Sequence, residues 1–184
     1  MKRSRTLTLA LMSATALTLA ACDNPEEVTV FENAQQCDTQ DGFDIKACEA
    51  NMKQAQQEHV RVAPKYTSVA DCEADFGEGQ CEDAPQRTSS GGSVFMPLMM
   101  GYMMGNMMAG RSAGVATQPL YRSKDDPKNF RTGDNQKVSG KTGVSKVPGQ
   151  VARAPSTKTS TIRRGGFGSA ARASTGGFRR SFGG

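Results

Sequence analysis

Two short blocks of this chain align without a gap, and each carries a cysteine. Phe31-Glu-Asn33-Ala-Gln-Gln36-Cys37 matches Tyr66-Thr-Ser68-Val-Ala-Asp71-Cys72, and a second cysteine follows each block, Cys48 after 11 positions and Cys81 after nine. Asn33 with Gln36, and Ser68 with Asp71, are each a cap residue with a partner three positions on. Each aromatic is therefore expected just ahead of a short helix with a cysteine in its first turn. In an oxidising compartment four cysteines at these spacings form disulfides. The repeat favours two equivalent local loops, Cys37–Cys48 and Cys72–Cys81, among the three connectivities that four cysteines allow. Each would contribute roughly 3 kcal/mol through loop closure. Zinc is the competing use of such thiols, but there is no Cys-x-x-Cys pair and His59 is the only histidine.

The staples matter because little else in the chain looks able to build a core. From Asp23 to Gly110 there are 15 acidic and five basic side chains, whereas Arg111 to Gly184 holds 15 basic and three acidic, so the formal +5 is the remainder of two opposed halves. The second half is rich in Gly, Ser, Thr, Pro, Lys and Arg, and a composition of that kind cannot bury enough apolar surface to offset its ordering entropy. Residues 111–184 are accordingly expected to be a long disordered basic tail. The core is left to residues 31–86, a length that is marginal without cross-links.

Within that stretch, Ile45, Cys48, Met52, Ala55, His59 and Val62 recur at steps of three and four, the spacing of one buried helical stripe. Asp44 is its expected N-cap, and Pro64 disfavours helix at Ala63. His59 lies on the stripe with no nucleophile or carboxylate at a spacing that supplies a catalytic partner, so it reads as a packed histidine. Asp38, Asp41 and Asp44 around Gly42 lack the alternating ligands and closing glutamate of a calcium loop and read as a solvated turn.

Residues 88–110 carry no charge and seven methionines: Met96, Met99, Met100, Met103, Met104, Met107 and Met108. Their three-and-four spacing predicts a helix with a continuous thioether face and a Gly101-x-x-x-Gly105 notch. Three uses compete for it. Methionine surfaces and glycine notches suit contact with an envelope protein or a second copy; thioethers are soft ligands for Cu(I) or Ag(I); and 17 residues of helix, about 25 Å, approach the thickness of a bilayer core. A span would leave the basic tail in the cytoplasm, as the positive-inside rule expects.

The chain starts with Lys2, Arg3 and Arg5, an apolar run from Leu7 to Ala20, and Leu19-Ala20-Ala21-Cys22. That is the pattern of a secretory signal with a lipobox, so residues 1–21 are expected to be removed and Cys22 to carry diacylglycerol and an N-acyl group such as palmitate, with residues 22–30 as a tether. Export makes nucleic acid an unsuitable partner. The basic residues Arg163, Arg164, Arg172, Arg179 and Arg180, interleaved with Gly and Phe, would instead contact anionic lipid or acidic envelope polymers, or belong to an uncommitted solvated linker. The Gly-Gly-Phe unit also suits a short ordered plug against the folded part.

The lipobox, Phe76-Gly-Glu-Gly-Gln-Cys81 after Tyr66 and Cys72, Met96-Pro-Leu-Met-Met-Gly-Tyr-Met-Met-Gly105, Gln118-Pro-Leu-Tyr121 and Arg164-Gly-Gly-Phe-Gly168 together resemble the uncharacterised lipoprotein family called UPF0441 or DUF1190. The resemblance covers most of the mature chain. It implies a Gram-negative envelope lipoprotein and carries no established activity, fold, ligand or catalytic residue. Asp23 after Cys22 resembles an inner-membrane retention signal, so the periplasmic face of the inner membrane is expected, with the outer membrane as the alternative.

These readings converge on a small, mainly α, disulfide-stapled module of two related cysteine-containing units, then a methionine-rich helical segment and a disordered basic tail. The expected function is that of a membrane-tethered structural or adaptor protein, with no cofactor. The alternatives are a periplasmic Cu(I)- or Ag(I)-binding protein and a single-span protein with a cytoplasmic tail. An enzyme is not expected, because no nucleophile, base or phosphate cradle is assembled.

Overall fold

The structure, a computed structural model, describes residues 25–105, 116–154, 161–162 and 166–168. The local expectations around the cysteines hold. Strand β1 (Glu26–Phe31) runs into α1 (Ala34–Asp38), where the Asn33 side chain accepts from the Gln36 N–H at 2.8 Å. Helix α2 (Ile45–Val62) opens on Asp44, which accepts from the Ala47 N–H at 3.0 Å, and stops at Ala63 before Pro64. Strand β2 (Lys65–Tyr66) leads to α3 (Val69–Phe76), capped by Ser68. Disulfides join Cys37 to Cys48 and Cys72 to Cys81.

The expected mainly α class is wrong, because the rest of the described chain is strand. It continues as β3 (Cys81–Arg87), β4 (Ser93–Pro97), β5 (Gly101–Gly105), β6 (Gln118–Ser123), β7 (Asp126–Arg131), β8 (Lys137–Ser139), β9 (Gly143–Val147), the short α4 (Gly149–Ala152) and β10 (Thr161–Ile162). Six of these strands form an antiparallel sheet in the order β8-β7-β6-β5-β1-β9, and β8 approaches β9, so the sheet nearly closes into a barrel. A second sheet has the order β10-β2-β4-β3.

The methionine segment is the clearest correction. Residues 94–105 form no helix: β5 lies between β1 (Val30↔Met103) and β6 (Tyr102↔Pro119), while β4 pairs with β2 and β3. A run apolar on every residue is what a strand buried on both faces needs, and periodicity alone does not separate it from a buried helix. Met103 points into the barrel with Val28, Val30, Leu120, Phe130 and Val147. Tyr102 and Met104 face the other way, against Phe31, Ala55 and the Cys37–Cys48 pair. Gly101 is required by close approach, since a Cβ there would fall 2.6 Å from the Phe31 carbonyl oxygen. Residues 94–105 therefore do not form the membrane-crossing helix that the single-span reading requires, and no described helix is long and apolar enough to cross a membrane.

The disordered-tail reading also fails for residues 116–154, which supply β6 to β9 and α4. Their composition misleads because a barrel wall needs apolar side chains on one face only. Leu120, Phe130, Val138 and Val147 point inward and are joined by Val151 and Ala152 of α4, while the strand ladders satisfy the backbone. The sheet thus joins strands of the acidic half, β1 and β5, to four strands of the basic half.

Candidate functional site

A third apolar cluster fills the space between α3, the second sheet and β6, and it is aromatic. Tyr66, Phe76, Tyr121 and Phe167 meet there with Cys72, Val94 and Met96. Phe167 comes from the basic half, lies 2% exposed, and stacks at 4.7 Å between centroids on Phe76 and edge-on to Tyr121 at 6.2 Å. It is the ordered plug that the Gly-Gly-Phe unit also suits, in place of the disordered tail expected for residues 111–184.

The next residue is held by its backbone. The Asn135 side-chain amide accepts from the Gly168 N–H at 3.0 Å and donates to the Gly168 carbonyl at 2.9 Å, so one side chain satisfies both main-chain groups of one residue. Asn135 itself is left-handed (φ 60°) in the turn between β7 and β8, a conformation asparagine tolerates better than most residues. Its position is fixed by a 2.9 Å bond from its N–H to the Thr132 carbonyl. Arg131 also donates to it, and that arginine is anchored at 2.7 Å on Asp126. Bonds from Asn129 and Arg131 hold the Asp126 carboxyl below its ordinary pKa. Upstream, Thr161 and Ile162 add β10 in parallel to β2, opposite Lys65 and Tyr66. The described parts of residues 161–168 therefore engage the fold as a bound peptide does, through strand addition, one aromatic anchor and a backbone clamp. Beside Phe167 an open cleft of about 320 Å³ is lined by Ala74, Asp75, Lys124 and Asp125.

Under the plug lies a polar relay. His59, 7% exposed on α2, places Nδ1 at 2.9 Å from the Tyr121 hydroxyl and Nε2 at 3.0 Å from Glu82 Oε1. A carboxylate only accepts, so Nε2 carries the hydrogen and Tyr121 donates to Nδ1. Burial holds the imidazole below its ordinary pKa against the opposing pull of Glu82, and burial raises that of Tyr121. The Tyr66 hydroxyl donates to Asp75 at 3.0 Å, and burial with the nearby Asp75 charge raises its pKa too. Lys65, its pKa lowered by burial, donates to the Val60 and Ala63 carbonyls at the end of α2. Both imidazole nitrogens are thus engaged by side chains of the fold.

The protein family model described as "Protein of unknown function (DUF1190)" matches residues 25–177. This chain belongs to the DUF1190 family. A UPF0441 protein of Erwinia tasmaniensis is 37% identical over 202 residues, covering 96% of this chain and 90% of that protein. No solved structure matches.

The described methionines of the expected soft-metal or contact face are distributed over separate environments. Met96 packs in the aromatic cluster, Met103 in the barrel and Met104 against α2; Met99 is partly buried beside it, and Met100 is 37% exposed. Among the described residues the five therefore form no continuous thioether face, unlike the helical arrangement on which the Cu(I) or Ag(I) reading rests. No group of three or more His, Cys, Asp or Glu side chains among the described residues is arranged to hold a metal ion. Cys22, Met107, Met108, Arg163, Arg164, Arg172, Arg179 and Arg180 lie outside the described residues. Asn135 and the pairing of His59 with Tyr121 and Glu82 escaped sequence reasoning. The partners lie 62 and 23 positions from the histidine, and no local spacing connects them.

Proposed function

We propose that this protein is a lipid-anchored adaptor of the bacterial cell envelope. It is held at the membrane by acylated Cys22, at the periplasmic face of the inner membrane, and works by docking an extended segment in the groove beside α3. The observation that carries the docking is the Asn135 clamp on the Gly168 backbone together with the buried Phe167 ring. The lipobox and export signal support the anchor, and the basic residues of the C-terminal segment support attraction to anionic lipid or acidic envelope polymer. The closed hydrogen-bonding of His59 supports binding over catalysis.

The test has two parts. Palmitate labelling in cells should mark the wild type and not Cys22→Ala, which should leave the membrane fraction; a Cys22→Ala protein that stays labelled refutes the anchor. A photo-crosslinking residue in place of Ala74, at the cleft, should give an adduct with another envelope chain, and its yield should rise when Phe167→Ala frees the groove. No adduct in either background refutes the adaptor.

A further inference from the structure

The groove imposes a demand on the residue that follows the aromatic anchor. Gly168 has φ +83°, and a Cβ at that position would fall 2.1 Å from Asp125 Oδ1. Asp125 cannot simply swing away without giving up the bond it accepts from Ser123. The groove therefore selects Phe followed by Gly. Apart from Phe76-Gly77, which ends α3, the sequence has one other such dipeptide, Phe182-Gly183, and it repeats the surroundings of the first. Arg163-Arg164-Gly-Gly-Phe167-Gly168 and Arg179-Arg180-Ser-Phe182-Gly183 both place an arginine pair two or three residues ahead of Phe-Gly. Gly166, which directly precedes the anchor, is exposed, so Ser181 fits the same place. Phe178 does not qualify, because Arg179 follows it.

We propose that the Phe167 groove has a second ligand within the same chain, Phe182-Gly183, and that the two dipeptides exchange in it. This rests on the reading of the groove as a site for an extended Phe-Gly segment; it does not depend on the lipid anchor. Charge favours both occupants. The cleft that receives them carries Asp75 of α3 and Asp125 of the adjoining turn against the single cation Lys124, which leaves a net negative charge for the paired arginines of each segment. Reach is sufficient, since Phe167 lies 15 residues beyond Ala152 and Phe182 lies 30 beyond it. Doubling a flexible loop lowers closure by about threefold only. Phe167 has the shorter loop and the β10 pairing, so it is the resident occupant, and Phe182 takes over when Phe167 is removed.

The chain contains no tryptophan, which makes a single introduced indole a clean reporter. In the purified full chain in detergent, Phe182→Trp should be open to acrylamide quenching while Phe167 is present. It should become several-fold less quenched and blue-shifted in the Phe167→Ala background. Phe167→Trp serves as the standard for a protected ring. Adding Gly183→Ala should restore exposure, and Phe178→Trp should stay exposed in both backgrounds. Asn135→Ala removes the clamp on both dipeptides and should leave both reporters exposed, with far-ultraviolet dichroism unchanged. If Phe167→Ala itself does not fold, Gly168→Ala ejects the first dipeptide by another route and should give the same protection of residue 182. Equal quenching of Phe182→Trp with and without Phe167 overturns the proposal, as does protection that persists with Gly183→Ala. Protection that grows with protein concentration assigns the occupant to a second copy and overturns exchange within one chain. None of these failures touches the anchor, which palmitate labelling tests separately.

Discussion

Lowering the pH from 8 to 5 should weaken the fold through His59. Its neutral ring is fully paired: Nε2 donates to Glu82 and Nδ1 accepts from the buried Tyr121 hydroxyl. Protonation turns Nδ1 into a donor, so the Tyr121 hydroxyl must accept instead and its own hydrogen loses the partner it had. Leaving a buried donor unpaired costs about 1–3 kcal/mol. Glu82 favours the protonated ring, while burial and the neighbouring Lys65 oppose it; burial dominates, so the folded pKa lies below the ordinary 6.5. For a group whose folded pKa is depressed, the stabilisation is present above the unfolded value. It is lost as pH falls below 6.5 and through the folded value. With a urea m-value of about 1–3 kcal/mol/M for a protein of this size, the midpoint should drop by roughly 1 M between pH 8 and pH 5. The assay is urea unfolding followed by dichroism in wild type and His59→Gln. A wild-type midpoint that does not move, or an equal fall in His59→Gln, refutes the reasoning.

Replacing Cys72 and Cys81 together by alanine should cost about 2.6 kcal/mol, and the Cys37 and Cys48 pair about 2.8, from loops of nine and 11 residues; urea midpoints under oxidising conditions measure this, and no loss for either pair refutes it. The Tyr102 hydroxyl is buried with no partner among the described residues, and burial pushes its pKa up to about 12. Tyr102→Phe should therefore be neutral or stabilising by up to about 2 kcal/mol, and a clear loss of stability would show that the hydroxyl is paired. Met103→Ala should cost about 2–5 kcal/mol because its side chain fills the barrel, whereas the half-exposed Met100→Ala should stay within about 0.5. Comparable effects at the two positions would contradict the strand assignment.

What could be read from the residues was local. Asn33, Asp44 and Ser68 act on backbone three positions away, and the paired cysteines are nine and 11 apart, so caps, helices and staples follow from neighbouring chemistry. The barrel is a statement about partners, and β1 finds its own at residues 102–105 and 143–147. No short-range signal carries that. The run from Met96 to Met104 reads as a helix because its closely spaced apolar residues satisfy a helical stripe and a doubly buried strand alike. The polar half was misjudged for a related reason: composition counts all residues equally, while a wall such as β9, exposed at alternate positions, needs only half of its own to be apolar. Part of the site was visible, since Gly-Gly-Phe suggested a plug. Its receptor was not, because Asn135 sits 33 residues from the glycine it clamps.

The pairing of β1 with β5 and β9 also sets an order of events for a chain that emerges N-terminus first. Both disulfide loops are complete once residue 81 is available, and they can close while most of the chain is still absent. The first strand has no neighbour until residues 102–105 arrive, and its second edge stays bare until residues 143–147 do. Val28, Val30 and Phe31 are therefore left uncovered for most of the time the chain takes to appear, and high contact order of this kind slows folding and invites misassociation. The early cross-links then act as a holding structure, keeping the helices compact while the oldest part of the chain waits for the youngest.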